Sequence, residues 1–386
     1  MCIRDRWVTK HVTVGDLYSH RSGLPAEAGD DLEVVGYDRD YVLSHLVYEP
    51  LDPFRAVYNY ANFGMTAGAE AVAAAAGSSW EDLTEDALFE PLGMTSTSAR
   101  YEDFLARGNR ATIHAKVGDS FKALYERNPD AQSPAGGISS SVNDLAKWMQ
   151  LILGDGVFNG KQLIEPDALV PALSAQMITA PIASPAQRTK QYGFGFNVGV
   201  QPSGRVSLGH SGAFVLGAAT SFMMLPELDI GIIVLTNAGP VGAAEAVAAQ
   251  FMDVVQFGSI TRDWITDYAA ALAPYYAPAG DLVGKARPEA PAAPQPWQHY
   301  VGEYSNDYFG PATVRVVGDR LVVELGPADY RLPLDHWAGD TFSFVPVGEY
   351  APHGSLSSAT FTMDGDTAKA LTLQFFDTQG LGTWTR

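Results

Sequence analysis

The chain has 386 residues, 46% of them apolar, which suits a globular protein and exceeds the usual size of a single core, so two domains of unequal size are the natural reading. Asp and Glu outnumber Lys and Arg by 44 to 25, and a net charge of -19 repels phosphate backbones and anionic lipid, arguing against nucleic-acid and membrane partners. No apolar run is long enough to cross a bilayer, and the single cysteine, Cys2, excludes an intrachain disulfide and a multi-thiolate metal site.

In chain order, Met1-Cys2-Ile3-Arg4-Asp5-Arg6 has no apolar export core and joins abruptly to what reads as mid-domain sequence. Residues 1–6 are therefore read as a foreign leader, with the genuine protein starting at Trp7 and lacking an amino-side piece. From Trp7 to about Met177 the pattern is helical: Thr13 with Asp16, and Ser141 with Asp144, have capping-box spacing. Asn62 to Ala76 is an alanine-rich helix ending at Gly77, and a second helix begins after Ser78-Ser79. Leu145, Trp148, Met149 and Ile152 form one apolar helix face. Between about Tyr192 and Asn237 the period changes to that of strands, at Val206 to Leu208, Ala213 to Leu225 and Ile230 to Leu235, followed by a helix from Ala243 to Phe257. Residues 273–296 are rich in Pro and Ala and read as a linker. Residues 297–386 read as an antiparallel sheet or small barrel: two hairpins turn at Gly318-Asp319 and at Asp364-Gly365.

Serine-mediated acyl transfer needs a base for the nucleophile's proton, donors for the oxyanion and an acid for the leaving atom. Penicilloyl-type serine enzymes distribute these over Ser-x-x-Lys, Tyr/Ser-x-Asn and Lys/His-x-Gly. Tyr60-Ala61-Asn62 and His210-Ser211-Gly212 supply the second and third. The first is absent, since none of the eight lysines has serine three residues before it; Lys10, with Trp7 in the serine place, is the nearest mimic.

Over residues 7 to about 260 the sequence resembles the group of class C β-lactamases, family VIII esterases and D-peptidases. The resemblance rests on Gly15-Asp16-Leu17-Tyr18-Ser19-His20-Arg21-Ser22-Gly23-Leu24-Pro25, Pro91-Leu92-Gly93-Met94-Thr95-Ser96-Thr97, Pro134-Ala135-Gly136-Gly137-Ile138-Ser139-Ser140 and Tyr192-Gly193-Phe194-Gly195-Phe196, all in order before His210. It implies a fold of the β-lactamase/penicillin-binding type, α/β plus all-α and incomplete at 7–272, followed by an appended domain at 297–386 that resembles a lipocalin-like barrel. By the same resemblance Tyr60 is the phenol that relays the nucleophile's proton, Asn62 binds polar groups of the substrate, and His210 stands where many β-lactamases carry lysine. Gly212 lets substrate approach the strand and the Ala213 N–H is half of the oxyanion hole, with Ser211 between them. His20 is read as structural.

The expected chemistry is hydrolysis of a small-molecule ester, amide or peptide through a serine ester, with no metal or organic cofactor, and with esters or D-amino-acid amides favoured over β-lactams because His210 is not a permanent cation. The chain itself is expected to be inactive, with an unpaired sheet edge and exposed core where the nucleophile segment belongs. The resemblance also implies a periplasmic or secreted location. Two rivals stand beside this reading. Gly209-His210-Ser211-Gly212-Ala213 nearly spells the Gly-x-Ser-x-Gly elbow of α/β-hydrolases, with Ser211 as nucleophile, and a non-catalytic relative would bind a ligand through its β-rich tail. Tyr304-Ser305-Asn306 repeats Tyr-x-Asn by chance, and the acidic run Asp30, Asp31, Glu33 is read as a solvated loop.

Overall fold

A computed structural model describes residues 6–386, so the reading of residues 1–6 as a foreign leader lies outside the described residues apart from the backbone of Arg6. The chain divides into two compact units. Among the described residues the larger comprises 6–28 and 51–274, and the smaller comprises 29–50 and 275–386. The boundary therefore differs from the single linker read in the sequence, because an excursion near the amino end, Gly29–Pro50, belongs with the β-rich tail.

In the larger unit, α1 (Val14–Tyr18) opens with the capping box expected at Thr13 and Asp16. It packs on α2 (Asn62–Ala76), which stops where Gly77 takes a left-handed conformation. Ser141 caps α3 (Val142–Leu153) by accepting the Asp144 N–H. The Asp144 carboxylate turns instead to Ser96, Thr97 and Lys147, so only half of that capping box forms.

Six strands make one antiparallel sheet: β1 (Met177–Ile178), β2 (Gln191–Tyr192), β3 (Asn197–Val200), β4 (Val206–Phe214), β5 (Ala218–Leu225) and β6 (Ile230–Thr236), adjacent in chain order. The stretch from Ala213 to Leu225, expected as one strand, is broken by a turn at residues 215–217. Gly217 sits there at φ 142, where an added Cβ would stand 2.4 Å from the His114 nitrogen.

Met149 and Ile152 of α3 pack with Leu208 of β4 and Met224 of β5, which are register partners. That face of the sheet is therefore apolar and closed by α3. On β5 and β6 packs α4 (Ala243–Phe257). Its outward positions Val247, Phe251 and Val254 remain exposed, and β6 is an edge strand.

In the smaller unit eight strands run as an antiparallel meander: β7 (Gly302–Tyr304), β8 (Ala312–Val317), β9 (Arg320–Leu325), β10 (Tyr330–Ala338), β11 (Thr341–Phe344), β12 (Ser357–Asp364), β13 (Thr367–Leu373) and β14 (Thr383–Thr385). Ser305, just past β7, and Thr385 of β14 exchange two backbone hydrogen bonds of 2.7 and 2.8 Å, which brings the two ends of the sheet together into a nearly closed barrel. Its core is aromatic: Tyr300, Phe342 and Phe361 meet at centroid distances of 4.7–5.7 Å, and Trp384 stacks on Phe309.

The acidic run is not a solvated loop. Asp30 and Glu49 are buried, and the Tyr308 hydroxyl lies 2.7 Å from Asp31 Oδ1 and 2.8 Å from Glu49 Oε1. Tyr350 holds Asp30. The short helices Asp30–Val34 and Arg39–His45 thus join the smaller unit through carboxylate–phenol bonds that composition alone cannot foretell.

Candidate active site

Tyr60 lies on the extended segment that enters α2. No side chain caps that helix at Ala61, so other groups must hold the segment in place. The Asn59 N–H donates to the His20 carbonyl at 2.9 Å, its side-chain amide donates to Leu24 O at 3.0 Å and to Asp52 at 2.7 Å, and the Glu27 N–H donates to Tyr60 O at 2.9 Å. The Ala61 N–H donates to His20 Nδ1 at 3.2 Å. Beneath these bonds Asp16 accepts from Arg21 Nε at 2.8 Å and from Arg55 Nε and Nη2 at 2.9 and 2.8 Å. Burial alone would raise the Asp16 carboxyl, but the two guanidinium groups and Thr13 overcome it and hold the group well below the usual carboxylate range.

His210 sits on β4, half-buried, on the face it shares with Leu208 and Gly212. Its Nε2 is 3.1 Å from the hydroxyl of Tyr192, which is fully buried on β2. The imidazole of His210 and the ring of Tyr60 come within 6.1 Å of each other, centroid to centroid. His20 stands against both tyrosines, 4.3 Å from Tyr60 and 5.1 Å from Tyr192, and Tyr58 closes the cluster 5.5 Å from Tyr192.

Burial lowers the His210 imidazole, against an opposing hydrogen bond with the Ser211 backbone. Burial, reinforced by the charge of His210, brings His20 down to about 3. The phenols of Tyr192 and Tyr58 are raised by burial. At neutral pH these four groups are uncharged, and both imidazoles that meet Tyr60 are neutral.

The other expected residues fall into two sets. Asn62 is the first residue of α2, and Gly212 faces Thr220 of β5, where an added Cβ would lie 2.7 Å from the Thr220 hydroxyl. β3 pairs with β4 only as far as Gly209, so His210 to Phe214, Ala213 included, pair with β5 alone. Ser211 points the other way: alternation along the strand turns its hydroxyl to the Glu245 carboxylate on α4. That contradicts the elbow reading, because β4 continues through Ser211 to Phe214 and reverses into β5 with no helix after the serine. Lys10, the nearest lysine mimic, is exposed on a short helix.

Two members of the cluster carried no role in the sequence reading. Tyr192 entered only as part of a matching stretch, and nothing local marks it, because its strand is separated from that of His210 by β3. His20, read as structural, is marked in hindsight by its place in a Ser-His-Arg-Ser-Gly turn. A groove of about 750 Å3 adjoins the cluster through Tyr58 and Gln191, and its remaining lining, including Val57, Gln176, Met177 and Ile178, is uncharged. Among the described residues no group of three or more His, Cys, Asp or Glu is arranged to hold a metal ion, and no helix is long and apolar enough to cross a membrane.

Residues 286–383 match the family described as a domain of unknown function, DUF3471. An unguisins hydrolase of Aspergillus campestris is 26% identical over 243 residues, a match covering 60% of this chain and 43% of that protein. Another, of Aspergillus violaceofuscus, is 24% identical over 386 residues, covering 88% of the chain and 67% of that protein. The chain thus spans less than half the length of the first of these relatives. Among solved structures, the octameric penicillin-binding protein homologue from Pyrococcus abyssi shares the fold, with a TM-score of 0.53 at 17% identity, covering 94% of this chain and 76% of that one. Residues 4–257 match the Beta-lactamase family, and the chain, whose larger unit has the sheet-and-helix body expected of it, belongs to that family of serine hydrolases.

Proposed function

We propose that the cluster of Tyr60 and His210 is the acid–base half of an acyl-transfer site that hydrolyses a neutral ester or amide, D-amino-acid amides included, in preference to β-lactams. In this reading Tyr60 acts as a phenolate stabilised by the cation of the Ser-x-x-Lys lysine, and it takes the proton of the serine hydroxyl as that oxygen bonds to the substrate carbonyl. The phenol passes that proton to the departing alcohol or amine, and water then cleaves the serine ester. Asn62 and the free edge of β4 at Gly212 and Ala213 orient the acyl group, with the Ala213 N–H facing the developing oxyanion. Ser211 has no nucleophilic part.

The observation that carries the reading is the approach of Tyr60 and His210, from a loop and a strand separated by 150 positions in the sequence, to 6.1 Å, with Tyr192 holding the imidazole. The substrate preference is supported by a neutral imidazole where a permanent cation would hold a carboxylate, and by the uncharged groove beside Tyr58. No Ser-x-x-Lys occurs among these 386 residues, and we propose that the nucleophilic serine and its lysine lie outside them and that this polypeptide alone does not turn over. The appended barrel contributes no reacting group, and a site outside the cytoplasm agrees with the family resemblance.

The test is hydrolysis of a short-chain nitrophenyl ester, a D-amino-acid amide and a chromogenic cephalosporin by the product of the coding region extended upstream, beside the 386-residue chain. The extended product should cleave the first two faster than the third, and the shorter chain none. Preference for the cephalosporin would overturn the substrate assignment, and turnover by the shorter chain would overturn the assignment of the nucleophile.

A further inference from the structure

His20 is 3% exposed and lies at φ 55, a left-handed backbone that few side chains other than Asn and Asp adopt readily. Its Nδ1 accepts the Ala61 N–H at 3.2 Å. A ring nitrogen that accepts carries no proton, so the proton of the neutral ring sits on Nε2. That Nε2 is buried and has no hydrogen-bond partner among the described residues. Native interiors seldom tolerate an unpaired donor, and strain kept beside a reactive cluster points to a role there.

We propose that His20 is a positioning residue for Tyr60: its Nδ1 fixes the backbone of Tyr60-Ala61-Asn62, and the same bond locks the ring as a neutral Nε2–H donor, leaving His210 as the imidazole that takes up a proton. Protonating His20 would put a second hydrogen on the Nδ1 side, against the Ala61 N–H. It would also set two like charges in one apolar cluster, and the repulsion between His20 and His210 already acts in that direction. The two histidines therefore divide the work, one holding geometry and one exchanging protons. This inference rests on the reading of Tyr60 as the site's phenol.

The test uses the full chain and needs no turnover. Nitrogen-15 NMR of the unaltered protein should find His20 Nδ1 unprotonated and Nε2 protonated from about pH 5 to 8. In parallel, modification of Tyr60 by an arylsulfonyl fluoride, read by peptide mass, should slow roughly tenfold or more in His20→Leu and return to within about threefold of the unaltered rate in His20→Asn. The asparagine puts an acceptor oxygen close to the place of Nδ1 and tolerates the left-handed backbone, so it restores the bond that leucine removes. A proton on Nδ1 at neutral pH, labelling of His20→Leu at the unaltered rate, or failure of asparagine to rescue would each overturn the proposal. Should the leucine variant not fold, the protonation pattern of the unaltered chain still decides. Because neither readout involves substrate, failure here is distinct from failure of the hydrolysis assay.

Discussion

Asp16 carries no charge outward and touches no substrate-facing ring, yet it underlies the loop that presents Tyr60. Its folded-state value is depressed, so its contribution to stability is complete above the ordinary carboxylate range and is lost as pH falls through about 4 and below. Asp16→Asn should therefore lower the melting temperature at pH 7 by several degrees, and the gap to the unaltered chain should narrow at about pH 3. Thermal melts at both values check this. In a catalytically active form Tyr60→Phe should lower kcat by about 100-fold or more with a small change in KM, since in the proposed mechanism the phenol moves a proton and does not bind the ground state. Gly212→Val should be inactive for a different reason, because its Cβ collides with the Thr220 side chain on the face where the proposed mechanism places the substrate.

At the scale of elements, the site was legible where a tripeptide marks chemistry and a strand period marks position. Tyr60 and His210 were singled out that way as candidates, and the structure brings their rings within 6.1 Å; the helix from Asn62 to Ala76 was legible because its alanine run and closing glycine carry the signal within themselves. What escaped depends on partners distant in sequence. Nothing local to His20 reveals that its ring accepts from Ala61, and nothing local to Ser211 reveals that alternation turns it towards Glu245. The same holds for the acidic excursion. One phenolic proton cannot serve two carboxylates, so the bonds of Tyr308 to Asp31 and Glu49 require a second proton on that pair. Burial, with the charge of Glu49 adding and the Tyr308 bond opposing, pushes Asp31 up to about 7, and burial raises Glu49 as well.

Both are raised above their unfolded values, so their contribution is present at low pH and is lost as pH rises from about 4 through 7, the reverse of Asp16. Glu49→Gln, which supplies an uncharged partner at every pH, should flatten this dependence. At about pH 8 it should make the smaller unit more stable, by on the order of 2 kcal/mol. Denaturant titrations at pH 5 and 8, followed by the fluorescence of the barrel tryptophans, read the difference.

For the whole molecule, two surfaces of the larger unit stay open: the edge of β6 and the apolar stripe of Val247, Phe251 and Val254 on α4. A stripe at spacings of four and three is a packing face, and here it meets solvent. Val247→Glu with Val254→Lys should reduce binding of a hydrophobic dye and aggregation on heating while leaving the helix intact, checked by dye fluorescence and light scattering. The barrel differs: its rings fill its own core, which disfavours a ligand-gripping tail as the main business of the chain. Its eight-strand order was only half visible beforehand, because Asp-Gly and Gly-Asp turns announce hairpins, whereas closure through Ser305 and Thr385 joins residues 80 positions apart.

The central claim is that Tyr60 and His210 form one half of a reaction centre whose nucleophile is not among these residues. Exposure of the 386-residue chain to a fluorophosphonate probe, followed by peptide mapping, tests it most directly. The account predicts no adduct at any serine, Ser211 included. Stoichiometric labelling of a serine in the 386-residue chain would contradict it.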